Sequence, residues 1–296
     1  MIRMSLIEGV RDGTAASRAE EAKFDAAARD ENFPVASRLL APALRGRVMA
    51  FYRFARAADD AADDPRASPE ARQARLDVLE GGLRGARGDG AGAALRRALA
   101  EGRAPRDAAA LREAAGLMPA FRRDAAGGTA CADWDDLMGY CRSSAASVGR
   151  VLLALHGEGQ AARAPSDALC AALQVLNHLQ DMGGDHRLLG RRYLPGDWMA
   201  EAGARDAELG APSLSPALAR VVARTLDGVD ALLAEAAPLP GRIAARGLRG
   251  QAAATLWLAR RLTARLRRGD PLAARVALSR LDFARAALAG LWAAAR

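Results

Sequence analysis

Gln174-Val175-Leu176-Asn177-His178-Leu179-Gln180-Asp181-Met182-Gly183-Gly184-Asp185 is the stretch that decides the fold. Asn177, Asp181 and Asp185 recur every four residues, and Gln174 stands three before Asn177. All four oxygen-bearing side chains therefore share one face of a helix. Val175, Leu176 and Leu179 fall on the other side. Carboxylates and carboxamides in one stripe are hard oxygen donors, a set that suits Mg²⁺. A solvated surface face can carry the same residues. The strongly apolar flanks and Gly183-Gly184, which permit close backbone approach, weigh against that reading.

Helical periodicity extends outward in both directions. Residues 166–189 read as one helix opening at Ser166-Asp167, and 133–156 as another with Asp133 as its cap. Residues 157–163 read as the turn between them. Further upstream, 38–62 reads as a helix entered near Pro42, with Leu44, Val48, Phe51, Phe54, Ala55 and Ala58 recurring at three and four. Pro65 and Pro69 stop it. A helix over 69–80 follows, with Ser68 before Pro69, and the glycines of 81–92 read as a connection. Helices over 95–101 and 105–121 complete the first half. Downstream, 194–216 is looser, and 217–236, 241–268 and 271–295 are helical. No segment alternates with period two and no repeat is present. The expectation is an all-α bundle with a central apolar pocket, forming a single domain over 1–296, with 1–25 as a flexible N-terminal extension.

A second acidic stretch stands 120 residues earlier: Tyr52-Arg53-Phe54-Ala55-Arg56-Ala57-Ala58-Asp59-Asp60-Ala61-Ala62-Asp63-Asp64. Four aspartates at a helix C-terminus oppose the helix dipole and repel one another. Such a cluster either faces solvent or waits for a cation. Spacing alone permits Asp59 with Asp63 or Asp60 with Asp64 as the inward pair. Mg²⁺ prefers one or two carboxylates plus phosphate oxygens and water. Two facing carboxylate helices therefore suit a diphosphate bridged by two or three Mg²⁺ ions, with Arg56, Arg191 and Arg192 as candidates to close the charge balance. Metal makes diphosphate a leaving group, and the apolar helix faces would hold the organic part.

Composition narrows the remaining classes. The 296 residues are 51% apolar and carry a net charge of +8, with a pI near 10.4. Lys23 is the one lysine, so the positive charge is arginine, scattered among acids along most of the chain. That pattern argues against a nucleic-acid module. Cys131, Cys141 and Cys170 are too few and too far apart for a disulfide framework, which suits a reducing, cytoplasmic location. The first 23 residues lack the apolar core of a secretory signal. The arginine-rich apolar stretches 257–268 and 272–292 admit two readings: ordinary bundle packing, or peripheral contact with the inner face of an anionic membrane. His156, His178 and His186 form no nucleophile pattern and read as satisfied or surface histidines. The four tryptophans read as core or interface.

These motifs together resemble the squalene/phytoene synthase family. The similarity runs through Asn32-Phe33-Pro34-Val35-Ala36-Ser37-Arg38-Leu39-Leu40, the Tyr52 to Asp63 stretch, Tyr140-Cys141-Arg142-Ser143-Ser144-Ala145-Ala146-Ser147-Val148-Gly149, the Gln174 to Asp185 stretch, and Gly190-Arg191-Arg192-Tyr193-Leu194-Pro195. The resemblance implies an isoprenoid synthase fold and a prenyl diphosphate substrate. It selects Asp59, Asp63, Asn177, Asp181 and Asp185 for the metals. It assigns Arg56, Gln174, Asn177, Arg191, Arg192 and Tyr193 to substrate, and Tyr52 and Tyr140 to the reaction chamber. Asn32-Phe33 replaces the Ser-Phe pair of many members. Its wording is similar to the bacterial hopanoid-pathway branch, which implies ionisation of presqualene diphosphate and capture of the cation by water, with Asn32 positioning that water. NADPH is then not expected. The alternatives are a head-to-head condensing synthase of the same family, making presqualene diphosphate, squalene or phytoene, and a non-catalytic membrane or complex partner. Neighbouring enzymes of the same pathway are the implied protein partners.

Overall fold

The computed structural model describes residues 42–100, 104–127 and 130–296. Asn32 and its neighbours, on which the hopanoid-branch reading rests, lie outside the described residues.

Twelve α-helices and two short 3-10 helices, Gln160–Ala162 and Asp206–Gly210, are present among the described residues. The first five are α1 (Pro42–Asp63), α2 (Pro69–Arg84), α3 (Ala91–Ala100), α4 (Pro105–Ala115) and α5 (Met118–Ala125). Two long helices follow, α6 (Trp134–His156) and α7 (Arg163–Leu189). The rest are α8 (Gly196–Ala202), α9 (Pro216–Ala236), α10 (Leu239–Arg242), α11 (Arg246–Leu266) and α12 (Arg280–Ala295). The described residues contain no strand, only an isolated bridge between Ala130 and Arg192.

Local chemistry sets most of the boundaries. Ser68, Asp133 and Ser215 accept the N–H of Ala71, Asp136 and Leu218, which removes one orphan donor from each helix start. Gly157 ends α6 in the left-handed region at φ 70°, a conformation that costs a side-chain-bearing residue.

Three expected boundaries are corrected. The span 105–121 is two helices, because Pro119 has no N–H to donate and sits in the first turn of a new helix, α5. Helix α7 begins at Arg163 rather than Ser166. Ser166 is instead buried in the α6–α7 contact: a Cβ added at Gly149 would lie 2.6 Å from Ser166 Oγ and 2.7 Å from Cys170 Sγ. The glycines of 81–92 are only partly a connection. Gly82 is helical and Gly92 lies in the first turn of α3, and a Cβ on Gly92 would stand 2.0 Å from the Leu79 carbonyl oxygen. They let α2 and α3 cross at backbone contact.

Helix α7 is the centre of the bundle, flanked by α6 and α9 and touched by α11. Helix α1 packs on α2, α3 and α5. The remaining face of α1 and one stripe of α7 border a cavity.

Candidate active site

The cavity has a volume of about 250 Å³. Its α7 wall is Ser166, Leu169, Cys170, Leu173, Gln174, Asn177 and Asp181, a single stripe at three- and four-residue spacing. Fifteen rises of about 1.5 Å from Ser166 to Asp181 make that wall about 22 Å long. The stripe is apolar in its first half and polar in its second. Helix α1 contributes the matching gradient, from Val48 and Phe51 to Tyr52, Arg56 and Asp59. Helix α11 closes another side with Leu248, Gln251, Ala252 and Thr255. The result is an apolar chamber with Asp59, Asn177, Asp181 and the Arg56 guanidinium on its polar stretch.

Asp59 is 8% exposed and Asp60 is turned outward. Asp64 pairs with Arg75 at 2.6 Å and belongs to the next turn of chain. Arg56 bridges Asp59 at 3.2 Å and Asp60 at 2.6 Å. Burial, and then the neighbouring Asp63 carboxylate, push the Asp59 carboxyl up to about 8. Its Oδ1 atom is buried without a hydrogen-bond partner. A carboxylate so placed holds a proton until a cation replaces it.

Asp63, one turn further along α1, pairs with Arg191 in an adjoining polar network. Arg191, 4% exposed, grips both Asp63 oxygens across 128 residues of sequence, lies 3.4 Å from Tyr193 Oη and 4.0 Å from Asp124 Oδ1. Tyr140 Oη donates to Asp124 Oδ2 at 3.0 Å. Burial raises Asp124 to about 6, against the pull of Arg191, and burial keeps the Tyr140 hydroxyl protonated. Tyr193 stacks on His178 with centroids 3.5 Å apart. Gln174 Nε2 lies 2.8 Å from His178 Nε2. With the amide N–H donating, the imidazole proton sits on Nδ1, and burial holds the ring neutral.

The structure therefore divides the expected site residues. Tyr52, Arg56, Asp59, Gln174, Asn177 and Asp181 line the cavity. Asp63, Tyr140, Arg191 and Tyr193 form the adjoining network. Asp185 is buried beside Tyr193. Arg192 is not brought to the site: it donates to the Cys131 and Leu194 carbonyls at 3.1 and 2.8 Å and pairs with Asp206 at 3.1 Å. Its neighbour Arg191 points the opposite way because the segment is extended there. His178, read as a satisfied or surface residue, is buried within the network. No sequence motif marks Asp124 or Arg275, which borders the cavity. Both lie on segments whose position relative to α7 only the folded chain reveals.

No group of three or more His, Cys, Asp or Glu converges among the described residues as a closed metal cage. The donor set nevertheless fits a hard divalent cation that keeps water and phosphate ligands. Asp59, Asn177 and Asp181 face one cavity, and Asp59 carries a buried, unpartnered oxygen.

An all-helical bundle around an apolar chamber with a carboxylate end defines an isoprenoid synthase. The sequence profile of squalene/phytoene synthase matches residues 26–282, and the chain belongs to that family. It is 42% identical over 257 residues to the hydroxysqualene synthase of Rhodopseudomonas palustris, covering 86% of each chain. It is 39% identical over 263 residues to the hydroxysqualene synthase of Sinorhizobium fredii, covering 88% of each. The crystal structure of a squalene synthase from Alicyclobacillus acidocaldarius superimposes with a TM-score of 0.70 at 28% identity, covering 86% of this chain and 92% of that one.

Proposed function

We propose that this enzyme converts presqualene diphosphate and water to hydroxysqualene and diphosphate. The observation that carries the reading is the polarity gradient of the chamber: a long apolar wall ending in Arg56, Asp59, Asn177 and Asp181. That shape suits a bulky prenyl chain with one diphosphate head. The resemblance to two hydroxysqualene synthases over most of the chain supports water capture over head-to-head condensation.

Asp59, Asn177 and Asp181 would hold Mg²⁺, with Asp63 and Asp185 joining from the adjoining network. A divalent ion held there would supply the positive charge that stabilises departing diphosphate. Arg56 and Gln174 orient the diphosphate. The apolar walls keep the cation from stray water, and Tyr52, 4% exposed on the α1 wall, presents an aromatic ring to it. Tyr140 and Tyr193, protonated and fixed by Asp124, Arg191 and His178, keep the diphosphate end rigid. By the resemblance, Asn32 would be the residue that positions the water. No reductant is required, because the cation ends as an alcohol and not through hydride transfer.

Incubation with presqualene diphosphate and Mg²⁺, without NADPH, should yield hydroxysqualene, and Asp181→Ala should lose turnover while remaining folded. Turnover of farnesyl diphosphate alone would replace this reading with a condensing synthase. Full activity of Asp181→Ala would remove the metal assignment.

A further inference from the structure

Residues 246–296 hold eleven arginines and two aspartates, with no lysine or glutamate. The whole chain carries +8, so the positive excess is concentrated in this segment and the rest is close to neutral. Arginines are scattered among acids along most of the chain, but in this segment the acids are nearly missing. Both aspartates are consumed internally. Asp282 is 2% exposed and takes Arg261 at 3.0 Å, Arg265 at 2.5 Å and the Ser279 N–H. Asp270 accepts the N–H groups of Leu214, Leu272 and Ala273. Nothing acidic remains on this segment to balance the surface.

Helix α12 is apolar on two faces and partnered on one. It sets Ala286, Gly290 and Ala293 on α11. The fit is close: a Cβ on Gly250 would lie 2.7 Å from the Gly290 carbonyl oxygen. The opposite face shows Leu281, Leu288, Leu291 and Trp292, exposed by 58, 67, 57 and 59%. At 100° per residue these four fall on one stripe. Arg285 and Arg296 lie along one border and Arg280 along the other. Five of the seven exposed large hydrophobic residues among the described residues lie on this helix. Beside its start, Arg261, Arg265, Arg268 and Arg275 line an open recess. Arg268 and Arg275 have no carboxylate partner among the described residues.

We propose that this face of α12 and the arginines around it form a docking surface for an anionic phospholipid bilayer. The leucines and Trp292 enter the headgroup boundary, and the arginines pair with lipid phosphates. A second copy is the competing occupant. A two-fold contact would set the same cationic stripe against itself, and like charges at an isologous interface repel. The placement also matters to the chamber. Helix α11, on which α12 rests, is a chamber wall, and Arg275 borders both the chamber and the recess.

The test is co-sedimentation of the full chain with vesicles of phosphatidylcholine alone and with about one-third phosphatidylglycerol, at low and high salt. Binding should require the anionic lipid and fall with salt. Leu288→Glu/Trp292→Glu, and independently Arg280→Gln/Arg285→Gln, should each weaken it about tenfold or more, with unchanged circular dichroism and turnover. Absence of binding to anionic vesicles would overturn the proposal, as would full binding by both variants. So would a stable dimer that Leu288→Glu/Trp292→Glu converts to monomer in sedimentation velocity.

Discussion

Replacing Asp59 by Asn separates the two demands made on that carboxyl. Burial and Asp63 raise it to about 8 in the metal-free chain, so at pH 7 about nine molecules in ten carry the proton. A divalent cation must displace it. Apparent Mg²⁺ affinity should therefore rise about tenfold per pH unit from pH 6 to 8 and level off above. Calorimetric titration in two buffers of different ionisation enthalpy should show release of about one proton per site at pH 7. The same shift makes a stability statement of fixed sign. The folded form holds a proton that the unfolded chain gives up near pH 4, so this contribution is fully present below about pH 4. It is lost as pH rises through 8. The gap of about four units sets a ceiling of about 5 kcal/mol, and Arg56 at 3.2 Å offsets part of it. Asp59→Asn cannot ionise. With chelator present it should be more stable than the parent at pH 8 by about 2 to 5 kcal/mol in urea melts and nearly equal at pH 4. It should also lose turnover. The reasoning is refuted if parent and variant show parallel stability from pH 4 to 8, or if Mg²⁺ binding releases no proton.

Tyr140→Phe deprives buried Asp124 of its 3.0 Å donor and should cost about 1–3 kcal/mol in a urea melt. Gly92→Ala gains at most about 1 kcal/mol of helix propensity, but its Cβ would stand 2.0 Å from the Leu79 carbonyl oxygen. A net loss of about 3 kcal/mol follows from backbone that must move, read as a lowered thermal midpoint. Arg192→Ala should lower stability by about 1–3 kcal/mol through the freed Cys131 and Leu194 carbonyls while leaving KM unchanged. A raised KM would return that arginine to the substrate site.

The central helix was legible because its signal is periodic. The stripe that begins with Gln174 in the sequence extends back to Ser166 in the structure, and one periodicity defines both the oxygen donors and the apolar wall. Asp59 and Asp60 were not separable on spacing, because either starts a pair four apart. Burial, a property of where α1 lies, turns Asp59 inward. Arg191 and Arg192 were not separable for another reason. Adjacent residues of an extended segment point apart, and no helical period says which faces the site. His178 looked isolated because its stacking partner, Tyr193, follows the end of α7 and returns only when the chain turns back. The boundary between α4 and α5 was written in Pro119, whose effect the apolar periodicity masked.

Gly149 carries a consequence for chain-length selection. At that wall the chamber is bounded by two main chains held apart by a hydroxyl and a thiol, those of Ser166 and Cys170. The dimension is set by a helix-to-helix spacing and not by a removable plug. Added volume on this side can shorten the accepted prenyl chain. Trimming it cannot lengthen the chain, because glycine has nothing left to remove. Variants accepting longer substrates would have to arise at walls that still carry bulky side chains, such as Val48 and Phe51 of α1 or Leu248 of α11.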